Sequence, residues 1–258
     1  MANQRQPPAP APPTSTTATS TTTPSPSLAT LLTTHLQTKA LPPTQTWLKT
    51  HLTTTKATTP LPALQKTALF RLLASDLTNT LQTSPQTTFP PATISEPRIT
   101  SQILPGPIAV QVLDIEDVGR SRWSQVEALE AQERGETTKG REVVRVLPAE
   151  DGGDAAAAAA DVISAGGGQA SSAGPHKLLL QDAKGTKVYG FEVKGVQGVG
   201  IGMAIGAKLV LRDVTVARGV VLLEPRCVEV LGGKVDAWDR KWKEERKKVL
   251  KEKAGMQT

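Results

Sequence analysis

Leucines recur at helical spacing soon after the start of the chain. The first pattern begins at Leu28, and the prolines at 42–43 end it because proline cannot continue a helix. A second, shorter pattern contains Trp47, Leu48 and Leu52. These spacings predict two short amphipathic helices, each with one apolar face to bury.

A third pattern is longer. Thr59 is the expected N-cap, Pro60 the expected first helical position, and leucines continue at helical spacing as far as Leu81. None of the three helices can bury its apolar face alone, and their many threonines are poor helix formers, so packing must supply most of the stability. The three patterns therefore predict a helical bundle over residues 27–83.

The second half of the chain changes to short runs of strand length. These runs are residues 108–115, 177–180, 186–193, 208–212 and 220–223, the last continuing as residues 228–230 after a proline. We expect 177–180 to form a hairpin with 186–193, and 208–212 to pair antiparallel with 220–223. The predicted fold class is α+β: a three-helix bundle, then a five-stranded OB-fold β-barrel.

The first two predicted barrel strands are separated by roughly 60 residues, far more than a hairpin loop needs. Residues 121–136 have helical character, residues 142–147 form a short apolar stretch, and residues 151–174 are low in complexity. Insertions of this length are usually functional or disordered. We expect both kinds of segment here, one after the other.

The pattern ends with a charged helix in which Asp236 is the expected cap, Trp238 and Trp242 share a face, and Asp239 pairs with Lys243. The predicted organisation is a disordered Pro/Thr-rich tail (1–26), the bundle (27–83), a Pro-rich connector (84–102), the barrel (103–235) with its insertion (121–176), and the C-terminal helix (236–258).

The charge is unevenly placed. The net charge is +6, yet residues 96–237 carry 16 Lys/Arg against 19 Asp/Glu, whereas residues 1–95 carry 6 against 1 and residues 238–258 carry 8 against 4. A slightly acidic barrel argues against a free-standing DNA-binding domain, because phosphate binding relies on clustered cations. A single cysteine excludes an intramolecular disulfide, no apolar run is long enough for a membrane helix, and no signal sequence is recognisable, so we expect an intracellular, soluble protein.

Catalytic and cofactor chemistry finds little support. The glycines of residues 198–206 lack the spacing of a dinucleotide-binding loop, and the three histidines lie too far apart for a zinc site. Trp123, Tyr189 and Phe191 are the aromatic candidates for stacking on a nucleic acid, although a core role is at least as expected for the last two. We therefore expect neither an enzyme nor a cofactor.

Several motifs of the barrel region resemble the RecQ-mediated genome instability protein family. They are residues 104–106, 110–112, 121–125, 178–182, 190, 206–209, 219–225 and 230–236. The resemblance implies an OB-fold subunit of type IA topoisomerase III and RecQ helicase complexes, preceded by a small helical domain. It implies a nuclear scaffold that promotes dissolution of double Holliday junctions and contacts DNA through the complex, with no membrane and no small-molecule substrate.

The resemblance also implies that the insertion reaches into the topoisomerase gate, through the segment 124–147. Apolar side chains of this segment are the expected anchors, and its arginines would meet an acidic or nucleic-acid lining. The predicted partner-binding residues are Trp123, Val126, Leu129, Arg134, Arg141, Val143, Val144, Val146 and Leu147. The alternative function is a stand-alone OB-fold module that binds single-stranded nucleic acid.

Overall fold

The computed structural model describes residues 27–54, 59–139, 142–145 and 174–255. The predicted tail, Arg141, Val146, Leu147 and nearly all of the low-complexity segment therefore lie outside the described residues.

The helical region contains α1 (Leu28–Thr38), α2 (Gln45–Thr53), α3 (Leu61–Leu73) and the single turn α4 (Leu77–Thr80). The side chains of Ser27 and Thr44 cap α1 and α2 by accepting from the backbone N–H three residues on. Their apolar faces meet those of α3 and α4 in one buried cluster. The predicted bundle is thus formed.

The prediction of one helix from Pro60 to Leu81 is wrong. The third helix begins at Leu61 with Pro60 as its N-cap and ends at Leu73. Asp76 then accepts a hydrogen bond from the Thr78 backbone at 2.9 Å and starts α4, so a local side-chain bond replaces helix continuation.

The β region and the remaining helices follow in chain order. They are β1 (Gln102–Leu104), β2 (Ile108–Asp117), α5 (Arg122–Glu133), β3 (Glu136–Lys139), β4 (Glu142–Arg145), β5 (His176–Asp182), β6 (Lys187–Glu192), β7 (Lys208–Leu211), β8 (Val214–Ala217), β9 (Val220–Leu223), β10 (Val228–Gly232) and α6 (Asp236–Lys253). The main sheet has the order β1-β8-β9-β6-β5-β2-β7-β10, and β3 and β4 form a separate hairpin.

The sheet closes into a ring because β7 and β8 are two halves of one bent strand. Only Arg212 and Asp213 separate them, and Asp213 adopts a positive φ of 48°. β7 pairs with β2 while β8 pairs with β9, which returns through β6 and β5 to β2. This gives the five-membered barrel expected from the sequence, with β1 and β10 as additional edges.

Two predicted pairings need correction. Residues 208–212 do not pair with 220–223, because residues 214–217 are themselves a strand whose valines are buried, and Arg218 with Gly219 makes the turn into β9. The strand, proline break and second strand expected over residues 220–230 are observed as β9 and β10, but they do not continue one barrel strand, since β9 lies between β6 and β8 whereas β10 pairs with β7. The predicted hairpin of β5 and β6 is confirmed, and Gly185 takes a φ of 91° in its turn.

The bundle and α6 both pack on the barrel. Ala109 and Ala183 of the barrel join the bundle's apolar cluster, and the buried Gln111 side chain accepts from the Leu77 backbone at 3.0 Å. In α6, Trp238 and Trp242 pack against the barrel core. The predicted cap is wrong: Asp236 is the first helical residue, Val235 is the N-cap, and no side chain caps the helix.

Candidate partner-binding insertion

The insertion leaves the barrel between β2 and β5, whose last paired residues are Asp117 and His176. The Asp117 carboxylate accepts from the Gly119 backbone at 2.9 Å and from Arg120 at 3.0 Å. On the other side, buried His176 and Glu192 are in contact at 2.5 Å, and Glu192 also accepts from the Val196 backbone at 2.7 Å. Both ends of the insertion are therefore fixed by hydrogen bonds to buried carboxylates.

Helix α5 begins directly after this stem. Ser121 caps it by accepting from the Ser124 backbone at 3.1 Å. Gln125, which is buried, donates to the carbonyl oxygens of Asp117 at 3.0 Å and Arg120 at 3.1 Å. A buried amide that satisfies two carbonyls resists removal, so the first turn of α5 is attached to the barrel.

Helix α6 holds the rest of α5 through charge. Lys247 contacts Glu133 at 2.5 Å and Lys251 contacts Glu130 at 2.7 Å. The hydrogen bond from Lys251 lowers the pKa of Glu130, which favours its charged form at neutral pH. We call these four residues the charged brace.

A second set of contacts fixes α6 and the start of α5 to the barrel surface. Trp242 donates its indole N–H to Asp114 at 2.7 Å, and Arg122 donates to Glu116 at 2.8 Å. Burial opposes ionisation of Glu116, but the hydrogen bonds from Arg122 and Lys177 outweigh it and lower its pKa. The two helices and β2 thus form one platform, and the hairpin β3–β4 follows α5 along the chain.

The predicted partner-binding residues have different environments. Trp123 is 57% exposed and donates its indole N–H to Glu127 at 2.7 Å, Leu129 is half-buried, and Arg134 is the C-cap of α5. Val126 is only 3% exposed, so the exposure expected of it is not observed. In β4, Val143 and Val144 pair with Thr138 and Thr137 of β3.

Sequence reasoning missed the charged brace. The signal was present: glutamates three residues apart on α5 face lysines four residues apart on α6, and such pairs lie on one helical face. It also missed the burial of Gln125. A polar residue within a helical pattern is expected to be exposed, so the sequence gives no sign that this side chain is buried.

A second exposed feature lies on the outer face of the barrel. Tyr189 is 51% exposed, and the Lys177 ammonium sits 5.0 Å from its ring centroid. Phe191 is half-buried on the same strand and pairs with Leu222 of β9. The pair Tyr189 and Phe191 therefore lies on the outer surface of the sheet, where the core role considered for it does not apply.

Within the described ranges, no group of His, Cys, Asp and Glu is placed to hold a metal ion. No helix among the described residues is long and apolar enough to span a membrane.

A helical bundle packed on a closed five-stranded barrel with a fixed insertion defines an OB-fold protein of the helical-plus-barrel class. The sequence matches the family descriptions "RMI1, N-terminal helical domain" over residues 31–80 and "RMI1, N-terminal OB-fold domain" over residues 89–246. The chain belongs to this family.

A curated relative is similar to much of the same region. It is RecQ-mediated genome instability protein 1 of Schizosaccharomyces pombe, 28% identical over 134 residues, which are 51% of this chain and 57% of the relative. The match thus spans little more than half the length of that protein.

Proposed function

We propose that this chain is a non-catalytic scaffold subunit that binds a type IA topoisomerase III and, with a RecQ helicase, promotes decatenation and dissolution of double Holliday junctions in the nucleus. DNA is contacted through the complex. Family membership and the name of the S. pombe relative support a genome-stability role. The observation that carries the rest is the insertion, whose two ends and first helix are fixed to the barrel.

A fixed stem suits an element that enters a partner. Ordering a segment on binding costs free energy, so a helix already attached to its barrel reduces that cost and directs the following hairpin. Exposed Trp123 and half-buried Leu129 offer apolar contact area on this helix. Val126 is assigned to holding α5 rather than to the partner, because it is buried.

Removing the insertion is the direct test. Gly119 and Gly174 lie in backbone contact, so two glycines can replace residues 120–173 without stretching the barrel. We expect this variant to remain folded but to lose its stimulation of decatenation by topoisomerase III on catenated DNA circles. Unchanged stimulation by the folded variant would exclude the proposed role of the insertion.

Point variants test whether individual residues of α5 contact the topoisomerase. We expect Trp123→Ala and Leu129→Asn to weaken co-purification with the topoisomerase, and the matched control is Ile103→Ser, which alters another exposed apolar side chain, on β1. Wild-type affinity in both α5 variants would remove these residues from the interface.

The second candidate function is direct binding of single-stranded nucleic acid, which Tyr189 with Lys177 above its ring favours. Titration of labelled single-stranded DNA at several salt concentrations separates the two functions. Tight binding with a steep salt dependence, lost in Tyr189→Ala, would support the rival, whereas the scaffold proposal expects weak binding that this variant leaves unchanged.

A further inference from the structure

The helical bundle carries an open groove that the insertion does not use. It lies between α2 and α3 and encloses about 380 Å³. Its lining includes Trp47, His51, Thr54, Phe70 and Arg71. Phe70 is 73% exposed, the most exposed of the large hydrophobic residues described, although the bundle buries leucines from all of its helices. An aromatic side chain in this position leaves apolar area available to a partner.

The floor of the groove is aromatic. The rings of Trp47 and His51 are stacked with centroids 5.2 Å apart and planes inclined by 4°. Arg71 lies 3.3 Å from Nδ1 of His51, and because a guanidinium only donates, that nitrogen is the acceptor. Burial and the neighbouring Arg71 both lower the pKa of His51, which agrees with a neutral ring.

The guanidinium of Arg71 is held in place by hydrogen bonds that use only part of its donors. Its two described hydrogen bonds, to His51 and to Thr54 at 2.8 Å, both use Nη1. The remaining edge of the guanidinium, with Nη2 and Nε, has the geometry that binds a carboxylate through two parallel hydrogen bonds. The groove therefore combines an apolar wall, an aromatic floor and one oriented cation.

The net charge of the helical region favours an acidic partner. Residues 27–83 contain five cationic side chains and one carboxylate. The carboxylate of that residue, Asp76, already accepts hydrogen bonds from the Thr78 backbone and from Gln111 at 2.7 Å. A positively charged bundle attracts an acidic partner and repels a basic one.

We propose that the groove between α2 and α3 binds an acidic amphipathic helix of a partner protein, with an apolar side chain against Phe70 and Trp47 and a carboxylate on Arg71. A helix lying in a groove between two helices presents apolar anchors one turn apart, which suits a hollow of this size. A nucleic acid is disfavoured because Arg71 is the one cation among the described lining residues, and phosphates require several.

A designed peptide tests the groove on the full chain. The probe is a fluorescein-labelled peptide of about 15 residues with Leu and Phe at helical spacing and Glu elsewhere. Comparison peptides carry Lys in place of Glu, or the same residues in an order without helical period. We expect fluorescence anisotropy to show binding of the acidic amphipathic peptide and a reduction of about tenfold or more in affinity for both comparison peptides.

Variants locate the site. We expect Phe70→Ser and Arg71→Gln each to weaken binding by about tenfold. Lys49→Gln, which removes an equal charge from α2 outside the groove lining, should change it by less than about twofold. Because Phe70 is exposed, we expect Phe70→Ser to unfold at the same temperature as the wild type. In NMR spectra of the wild type, the Trp47 indole N–H resonance should shift when the peptide is added.

Equal binding of the Lys peptide, or wild-type affinity in both groove variants, would overturn the proposal. So would displacement of the peptide by a single-stranded oligothymidylate that binds more tightly. The variant lacking residues 120–173 is expected to bind the peptide normally, which separates this groove from the topoisomerase role proposed for the insertion.

Discussion

The barrel wall and helix α5 of the insertion are held by different kinds of contact. Val110, Leu180, Leu209 and Val221 of the wall are completely buried, and their stability comes from apolar packing. Beyond its first turn, α5 is joined to α6 by the charged brace, whose side chains water still reaches. Salt screens such pairs but leaves packing intact. The end of α5 can therefore loosen while its first turn stays attached and the barrel stays folded.

The largest expected effect tests the wall through two neighbours on β5. Leu180 points inward and is fully buried, whereas Leu179 alternates to the outer face. We expect Leu180→Ala to lower the free energy of unfolding by about 3 kcal/mol and Leu179→Ala by about 1 kcal/mol or less. Urea denaturation of both variants measures the difference, and equal losses would show that the wall has no distinct inner face.

A buried charge in the wall gives the next effect. Lys208 is fully buried on β7, donates to the Gly206 carbonyl at 2.6 Å, and burial lowers its pKa to about 8. Its folded pKa lies below the unfolded value, so the unfolded state binds more protons and wild-type stability rises with pH above about 8. The uncharged reference is Lys208→Met, which cannot titrate at this position.

Relative to this reference, the wild type should gain about 2 kcal/mol in unfolding free energy between pH 7 and pH 10. Chemical denaturation of both proteins at both pH values measures the gain. Subtracting the values for Lys208→Met removes the contribution of the other titrating groups. A constant difference between the two proteins would mean that Lys208 titrates normally.

The attachment of α6 gives a smaller effect. Trp242→Phe retains an aromatic ring but removes the hydrogen bond to Asp114, and we expect a loss of about 1 kcal/mol in thermal unfolding experiments. Trp123→Phe is the matched control, because the indole of Trp123 donates its described hydrogen bond to exposed Glu127 on the same helix. A similar loss of unfolding free energy in Trp123→Phe would show that the hydrogen bond between α6 and the barrel contributes no more than one within a helix.

The smallest effect on global stability concerns the charged brace. In the double variant Glu130→Gln/Glu133→Gln we expect faster hydrogen exchange in α5, unchanged exchange in β5, and little change in the unfolding temperature. High salt should reproduce the result in the wild type. Glu127→Gln, on α5 but outside the brace, is the control, and slower or unchanged α5 exchange in the double variant would contradict a brace.

Local patterns were enough to predict much of the fold. The leucine spacing of α1, the hairpin of β5 and β6, and the helical character of residues 121–136 all depend on neighbours within a few residues. The position of the long insertion followed from the low complexity that interrupts the strand pattern. Each of these features is specified by the chain itself.

The errors occurred where two local solutions compete. Residues 213–219 are short enough for a hairpin loop, but Asp213 bends the chain and residues 214–217 pair with β9 instead. The helix expected to reach Leu81 ends at Leu73 because Asp76 bonds the Thr78 backbone. Tertiary packing selects between such alternatives.

The candidate sites were likewise predicted only in part. The sequence located the insertion and its exposed Trp123, but Val126 turned inward, and the charged brace joins residues more than a hundred positions apart. The groove at Phe70 likewise depends on how α2 and α3 lie together. Thus the sequence alone determined most of the helices and barrel strands and the order of the domains, because the periodicity of apolar residues acts over a few residues. The tertiary structure decided which strands close the ring and which side chains remain exposed, because burial depends on contacts between distant segments.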